Sequence, residues 1–573
     1  MVWRRLTSCL VASCCLAPAT AFAFPGPASV AVVFNSSDSG SEALANTYVA
    51  ARSIPPNQVC GVATTSQADI PLADYDSQIW KPLQACLQNG GSIARIDAVL
   101  VMRGMPLRVQ IPTASSNEVV SLTAALGVWD STLSDGTTPL LGQEPGQTLT
   151  CGNNTPCLAA KWNSPLLGLG KPFAPDFQVT QGGAIWHPKL VTMFDGRSYS
   201  DAGKLLTSAL DAEKAGGASG EFLFMDGADS ARGVLDSQAP AAISQLQSLG
   251  FTANSVAFNK SLTGRTLASF VTGSASLDTT IEGNTFEPGA IVDNLTSDGA
   301  VPNNFTATGQ TQVSIARWVA MGVAGVHGTV AEPLNNCFPS RQFVVDYATG
   351  APLSEAYLRN MPFAYWRNLV LGDPMAAPYA KRPVVTLDGL VDQQAIGGSV
   401  PVTVHAQDTA GTGIATIRIY VDGVQADEAN GDVLQTCLAL PKKSGVQVLA
   451  VAQNKTGTGP LAKFPPKGWF ALTVDASGGG ASTCAQGGAG GSSGAGGATG
   501  KSDAGTAGSG GVGGTGADAG PGAPSSAAHK GSGCGCRLAG GRDASGSDWL
   551  VLGLGLLLLY RRQRHPRDRC SRA

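Results

Sequence analysis

Charge is scarce in this sequence: 14% of its 573 residues are Asp, Glu, Lys or Arg, and the formal net charge is −3. Such a chain carries no basic footprint for nucleic acid. It has no pair of CxxC motifs and no His/Cys cluster of the kind that holds zinc. There is no P-loop, and the GxGxxG spacing occurs only in the Gly-rich stretch, as GSGGVG and GVGGTG, with no predicted strand ahead of it to make a phosphate cradle. Ser297 lacks the G-x-S-x-G setting of a nucleophile elbow. The apolar runs at the two ends fall short of the roughly 17 to 20 residues that cross a bilayer comfortably. Metal and cofactor use therefore stay unassigned.

The two ends carry clear signals. Arg4 and Arg5 precede an apolar stretch over 6–17, and Ala21-Phe22-Ala23 is a small-x-small cleavage site ahead of Phe24. Residues 1–23 thus read as a secretory signal. Val11-Ala12-Ser13-Cys14 offers a competing lipoprotein box, disfavoured because apolar sequence continues past Cys14. Residues 477–533 are Gly, Ala, Ser and Thr with almost no large side chain. That composition predicts a coil linker with a root-mean-square span on the order of 40 Å. Residues 534–573 bring Cys534-Gly535-Cys536-Arg537, the apolar run WLVLGLGLLLLY over 549–560, and then Arg561, Arg562 and Arg564. An apolar segment before a basic cluster, with no core near it, reads as a stop-transfer segment with its positive flank inside.

Those last features together resemble the MYXO-CTERM sorting domain of myxobacterial surface proteins. The resemblance covers about the last 45 residues. It implies a sorting protease acting near Cys534 or Cys536 and display on the outer surface of the cell envelope. A plain C-terminal membrane anchor is the alternative, and either way the folded part faces outward.

Cysteine is comparatively plentiful, at 13 residues, three of them in the signal region. In an oxidising compartment the remainder can pair. Cys151 and Cys157 bracket the turn-rich GNNTP and are the favoured local disulfide. Cys60 with Cys86, and Cys437 with Cys484, are further pairings that the sequence leaves open.

Between the ends, residues 24–380 alternate apolar β-rich runs with amphipathic stretches. Strands are predicted over 29–34, 96–102, 189–194, 221–225, 290–292 and 323–331, and helices over 41–52, 77–87, 200–215, 239–249 and 312–321. Continuous apolar strands alternating with helices argue for an α/β layer fold with a mostly parallel sheet. Residues 381–476 change character, with VVTLDGL, SVPVTVHAQD, IATIRIYVDG and GWFALTVDA separated by Gly, Asp and Asn. About seven such strands make an immunoglobulin-like sandwich, with Asp422-Gly423 as a hairpin turn.

In parallel α/β sheets, ligands bind outside the carboxyl ends of the strands. Arg103 follows one predicted strand, Asp195 and Arg197 another, and Asp226 a third; Asp298 and Glu332 follow the last two. On a parallel sheet these would gather along one edge as a polar pocket. Asp298 and Glu332 are then candidate catalytic acid–base or metal-binding groups, and Arg103, Arg197, Asp195 and Asp226 candidate substrate-binding residues. The bland reading is that Asp and Asn after strands cap helices and shape turns, with arginines neutralising them. A Cys337/His327 dyad is the weaker alternative, since a histidine inside a β-rich run is more often a core residue. His187 stands at a strand entry, the wrong edge for catalysis.

Six segments of the α/β region resemble an uncharacterised family of exported bacterial proteins found alongside exosortase-type sorting. They are FNSSDSGSEALANTYVAARSIPPNQVC, VLVMRGMPLRV, LVTMFDGRSYSDAGKLL, PGAIVDNLTSDGA, GVAGVHGTVAEP and LSEAYLRNMPFAYWRNLVLGDPMAAPY. The resemblance brings no established activity. The order of layers is also similar to that of gingipain-like peptidases of the caspase-like fold. Those enzymes place a His after one strand and a Cys after the next. Here the matching turns read Ser297-Asp298-Gly299 and Glu332-Pro333, so the dyad is missing. The sequence thus leads to a surface-displayed α/β protein, with a hydrolase acting on an envelope or extracellular substrate as the first activity. A non-catalytic module binding glycan or protein is the alternative.

Overall fold

The computed structural model describes residues 25–478 and Cys484, except 113–116, 142–161, 175–176, 182, 307–310 and 460–462. The signal segment, Cys151, Cys157 and the sorting segment with Cys534 and Cys536 lie outside the described residues.

Ten strands make the central sheet: Val30–Asn35 (β1), Val59–Val62 (β2), Ala98–Met102 (β3), Leu190–Phe194 (β4), Glu221–Met225 (β5), Ala253–Val256 (β6), Thr266–Thr272 (β7), Thr285–Asn294 (β8), Gly325–Thr329 (β9) and Asn368–Gly372 (β10). The central ones are short runs of Val, Leu, Ile and Met with both faces buried, as in VAVVF and AVLVM. Helices cover the faces: Ser39–Arg52 (α1), Lys81–Asn89 (α2), Leu122–Gly127 (α3), Tyr199–Ala215 (α4), Ala239–Ser248 (α5), Ile315–Ala320 (α6), Gln342–Ala348 (α7) and Leu353–Leu358 (α8). Local chemistry sets their ends. The Asp38 carboxylate caps α1 by accepting from the Gly40 and Ser41 amides, and Ser198 caps α4 through the Asp201 amide. Gly216 closes α4 at φ +80°, a left-handed conformation that glycine adopts freely.

The strand order is β6-β5-β7-β8-β9-β10-β4-β3-β1-β2. Every neighbouring pair is parallel except β9 and β10, which run antiparallel from Gly325↔Gly372 to Thr329↔Asn368. The sheet is therefore mixed: two parallel halves meet at one reversal. This corrects the expectation that all strand carboxyl ends share an edge. Strands β1, β3, β4 and β10 end on one side, and β5, β7, β8 and β9 end on the other. Contacts agree, because Gly196, just past β4, lies against Val319 of α6, which leads into β9.

A second layer follows: Val384–Asp388 (β11), Gly398–Gln407 (β12), Ile414–Val421 (β13), Val424–Asn430 (β14), Val433–Leu440 (β15), Val446–Asn454 (β16) and Lys467–Val474 (β17). They form sheets β11-β12-β15 and β14-β13-β16-β17, whose inward Val, Ile and Leu side chains share one core. The expected turn is there. Asp422 and Gly423 both adopt positive φ, 48° and 79°, the geometry of a type I′ hairpin. Among the described residues two disulfides are present, Cys60–Cys86 from β2 to α2 and Cys437–Cys484 from β15 to the chain beyond the sandwich. The two layers belong to one compact unit. Ala28, ahead of β1, packs with Tyr420, Leu449 and Val451 of the sandwich.

Candidate functional site

The end of β3 and β4 holds the first group. Arg103 donates to the Asp195 carboxylate and to the Gly196 and Arg197 carbonyls. Its guanidinium also stands 5.5 Å from the centre of the Tyr199 ring. Tyr199 in turn donates to Asp38 at 2.5 Å. Burial pushes the Asp195 carboxyl upward, partly offset by Arg103. Burial also acts to raise Asp38, but hydrogen bonds from Tyr199, Ser41 and Gly40 hold it below the ordinary range. Gly104 closes the group at φ +95°, where a β-carbon would fall 2.8 Å from both Asp38 Oδ2 and the Tyr199 hydroxyl. The pairing of Arg103 with Asp195 is the one the sequence suggested. The pair is closed on itself, however: its polar atoms hold neighbouring loops. Arg197 turns elsewhere, toward Glu282; burial acts to raise that carboxyl, but Arg317, gripping it with two nitrogens, holds it below the ordinary range with a smaller contribution from Arg197.

The opposite edge holds Asp226, Asp298 and Glu332. Asp298 and Glu332 follow the adjacent strands β8 and β9, and the structure brings them together. Ser297 Oγ donates to Glu332 at 2.8 Å. Thr311 Oγ donates to Asp298 at 3.4 Å. Burial raises the Asp298 carboxyl, and repulsion from Glu332 raises it further. Gln312 braces the turn by accepting from the Ser297 amide at 3.1 Å and from the Thr296 hydroxyl. Arg367 donates to the Glu332 carbonyl and pairs with Glu118 at 2.5 Å, so its charge is engaged there. Asp226 is exposed just past the end of β5, where its charge adds to burial in raising the Asp236 carboxyl. The six candidates therefore do not line one concavity. Chemically, the Asp298–Glu332 edge offers a carboxyl with raised proton affinity beside a second carboxyl group. No group of three or more metal-ligating side chains occurs among the described residues.

The His327/Cys337 pairing has a different fate. His327 is fully buried, with Nδ1 2.9 Å from Asp293 Oδ1 and Nε2 3.1 Å from Asn368 Oδ1. Asp293 also takes Arg341 at 2.5 Å. Cys337 is buried and free, and burial together with the Asp293 charge pushes its thiol well up. A thiol kept protonated and out of solvent is a poor nucleophile. The network of Asp293, His327, Arg341 and Asn368 escaped sequence reasoning. Its one available signal was a carboxylate, Asp293, inside the apolar run AIVDN.

No protein-family model matches the chain, and no curated protein matches it. Among solved structures, it is similar to the fibronectin(III)-like modules of CbhA from Clostridium thermocellum: 13% identity, 16% of this chain, 96% of that one, TM-score 0.13. The CARDB domain of the PF1109 protein from Pyrococcus furiosus gives 17% identity, 17% and 97% coverage, and TM-score 0.14. The endo-beta-1,4-mannanase from Thermotoga petrophila gives 8% identity, 45% and 47% coverage, and TM-score 0.12.

Proposed function

We propose that this chain is exported and displayed at the outer surface of the cell envelope. There its α/β and sandwich layers act as a non-catalytic module that binds glycan or protein on a caspase-like scaffold. One observation carries the reading. Arg103 and Arg197 leave the edge opposite to Asp298 and Glu332, so the set cannot anchor and transform one bound molecule. The buried His327 and Cys337 supply no substitute. Residues 1–23 and the two disulfides support export, since disulfides persist in oxidising compartments. Sorting by a protease acting on residues 534–573, with the 549–560 segment in the membrane, completes the proposal.

The test is calorimetry of the purified full chain against isolated envelope polysaccharides and surface proteins, with mass spectrometry of the recovered ligand. Binding with the ligand intact is the expected result. Cleaved ligand would overturn the non-catalytic reading. Localisation is checked by surface biotinylation of producing cells, and recovery of protein still carrying residues 549–560 would favour simple anchoring.

A second reading is favoured by the adjacency of Asp298 and Glu332. A carboxyl raised by burial beside an exposed carboxylate can work as an acid–base pair in a hydrolase. Under it, Asp298→Asn and Glu332→Ala would each abolish turnover, while Cys337→Ala would leave it intact.

A further inference from the structure

Where the sandwich meets the start of β1 and β3 there is a cavity of about 210 Å³. The α/β layer contributes Ser29, Arg95 and Asp97; the sandwich contributes Arg418, Tyr420 and Lys467. None of these belongs to the groups at the strand carboxyl ends. The sequence gives no warning of the cavity, because its walls come from two layers.

Its charges are arranged unusually. Asp97 is 2% exposed and held by the sheet, its amide donating to the Ser29 carbonyl and its carbonyl accepting from the Leu190 amide. Its Oδ1 is buried with no hydrogen-bond partner. Lys467 is 8% exposed, its stem lying 3.1 Å from where a Gly26 β-carbon would stand. Asp97 and Lys467 attract one another, yet among the described residues neither is in an ion pair. Arg95 donates to the carbonyls of Ala28, Gly91 and Gly423 and stands 5.9 Å from the Tyr420 ring centre. It meets no carboxylate, and it covers the ring face on which a sugar would stack. Arg418 is bound to Glu428 through two nitrogens.

A buried carboxylate oxygen without a hydrogen-bond partner, near a buried ammonium that attracts the carboxylate but forms no ion pair with it, leaves both groups incompletely satisfied. A ligand that completes both carries a carboxylate for Lys467 and a neighbouring hydrogen-bond donor for Asp97, beside an Arg95 already engaged by Ala28, Gly91, Gln58 and Gly423. We propose that this interlayer cavity binds a small carboxylate with an adjacent donor, either the ammonium of an amino acid or the hydroxyl of a hydroxy acid. A cavity of this volume admits molecules of that size. The assignment is independent of the surface-binding reading, since the two share no residue.

Calorimetry on the purified full chain tests it with L-serine, L-lactate and acetate as probes. Serine or lactate should bind at least about tenfold more tightly than acetate, which has no donor, as expected for one charge-assisted hydrogen bond. Lactate alone would identify the donor as hydroxyl; serine alone would leave ammonium and β-hydroxyl, which L-alanine, having only the ammonium, separates. Asp97→Asn and Lys467→Met should each weaken the preferred probe about tenfold to a hundredfold. Should either variant misfold, a second measurement uses the unaltered protein: the bound probe should slow acetylation of Lys467 by an amine reagent, read by peptide mass spectrometry. The proposal is overturned if neither serine nor lactate binds below 10 mM, if acetate binds equally well, or if Lys467 reacts at the same rate with and without probe.

Discussion

Asp293→Asn isolates a charge the fold cannot spare. The substitution keeps the shape of the side chain and removes its charge. Asp293 is wholly buried, touching His327 on one side and Arg341, 2.5 Å away, on the other. Arg341 is 2% exposed, so its guanidinium would be left in the interior without its ion-pair partner, with Asp236 acting on it only from beyond ion-pair distance. Breaking a buried pair from one side costs about 3 to 5 kcal/mol, because the orphaned ion keeps its desolvation cost and loses its attraction. Replacing both ions relieves it. Asp293→Asn combined with Arg341→Met should therefore recover at least about 2 kcal/mol of that loss. Urea unfolding of the full chain reads the effect through the buried Trp318 and Trp366 of the α/β layer, with unchanged slopes required for the comparison. A loss below about 1 kcal/mol for the single variant, or a double variant no better than the single, would refute the reasoning.

Three further outcomes are expected. Burial pushes Glu355 up to about 7, against the attraction of Arg359. The folded chain thus holds a proton that the unfolded chain releases, and stability falls as pH rises from the unfolded value of 4.5 through about 7. The full swing is on the order of 3 kcal/mol, and Glu355→Gln should flatten it in urea titrations at pH 5 and 8. Replacing Cys60 and Cys86 together by serine opens a crosslink of sequence separation 26 and should cost about 3.5 kcal/mol by loop entropy, read as a lower urea midpoint. Cys337 should resist a maleimide in the native protein and react only in denaturant; rapid native labelling would contradict its burial.

Much of the fold was legible because it rests on local chemistry. The six predicted strands and five predicted helices all have counterparts, since unbroken Val/Leu/Ile runs and amphipathic stretches are readable at short range. The Asp422-Gly423 turn was readable for the same reason, because few residue pairs accept two positive φ angles. Strands β2, β6, β7 and β10 escaped. Of these, β2 is VCGV and β6 is ANSV, short runs diluted by Gly, Asn or Ser. The missed β10 mattered most. Its antiparallel pairing with β9 reverses the sheet, and strand direction is fixed by contacts far apart in the chain. That reversal alone separates Arg103 and Asp195 from Asp298 and Glu332. What survived of the site is what adjacent strands could secure: Arg103 with Asp195 across β3 and β4, and Asp298 with Glu332 across β8 and β9. The network around Asp293 stayed hidden because Arg341 and Asn368 lie far along the chain from Asp293 and nothing local says that they meet it.

The Cys437–Cys484 bond has a mechanical consequence. Strand β17 is an edge strand and the last of the sandwich, so a pull on the chain beyond it would ordinarily peel it away one hydrogen bond at a time. The disulfide reroutes that force. Tension applied beyond Cys484 passes covalently to Cys437 within β15, on the other sheet, and loads both sheets together. A protein tethered through that end would hold its outer layers folded under drag that an unbridged sandwich would yield to.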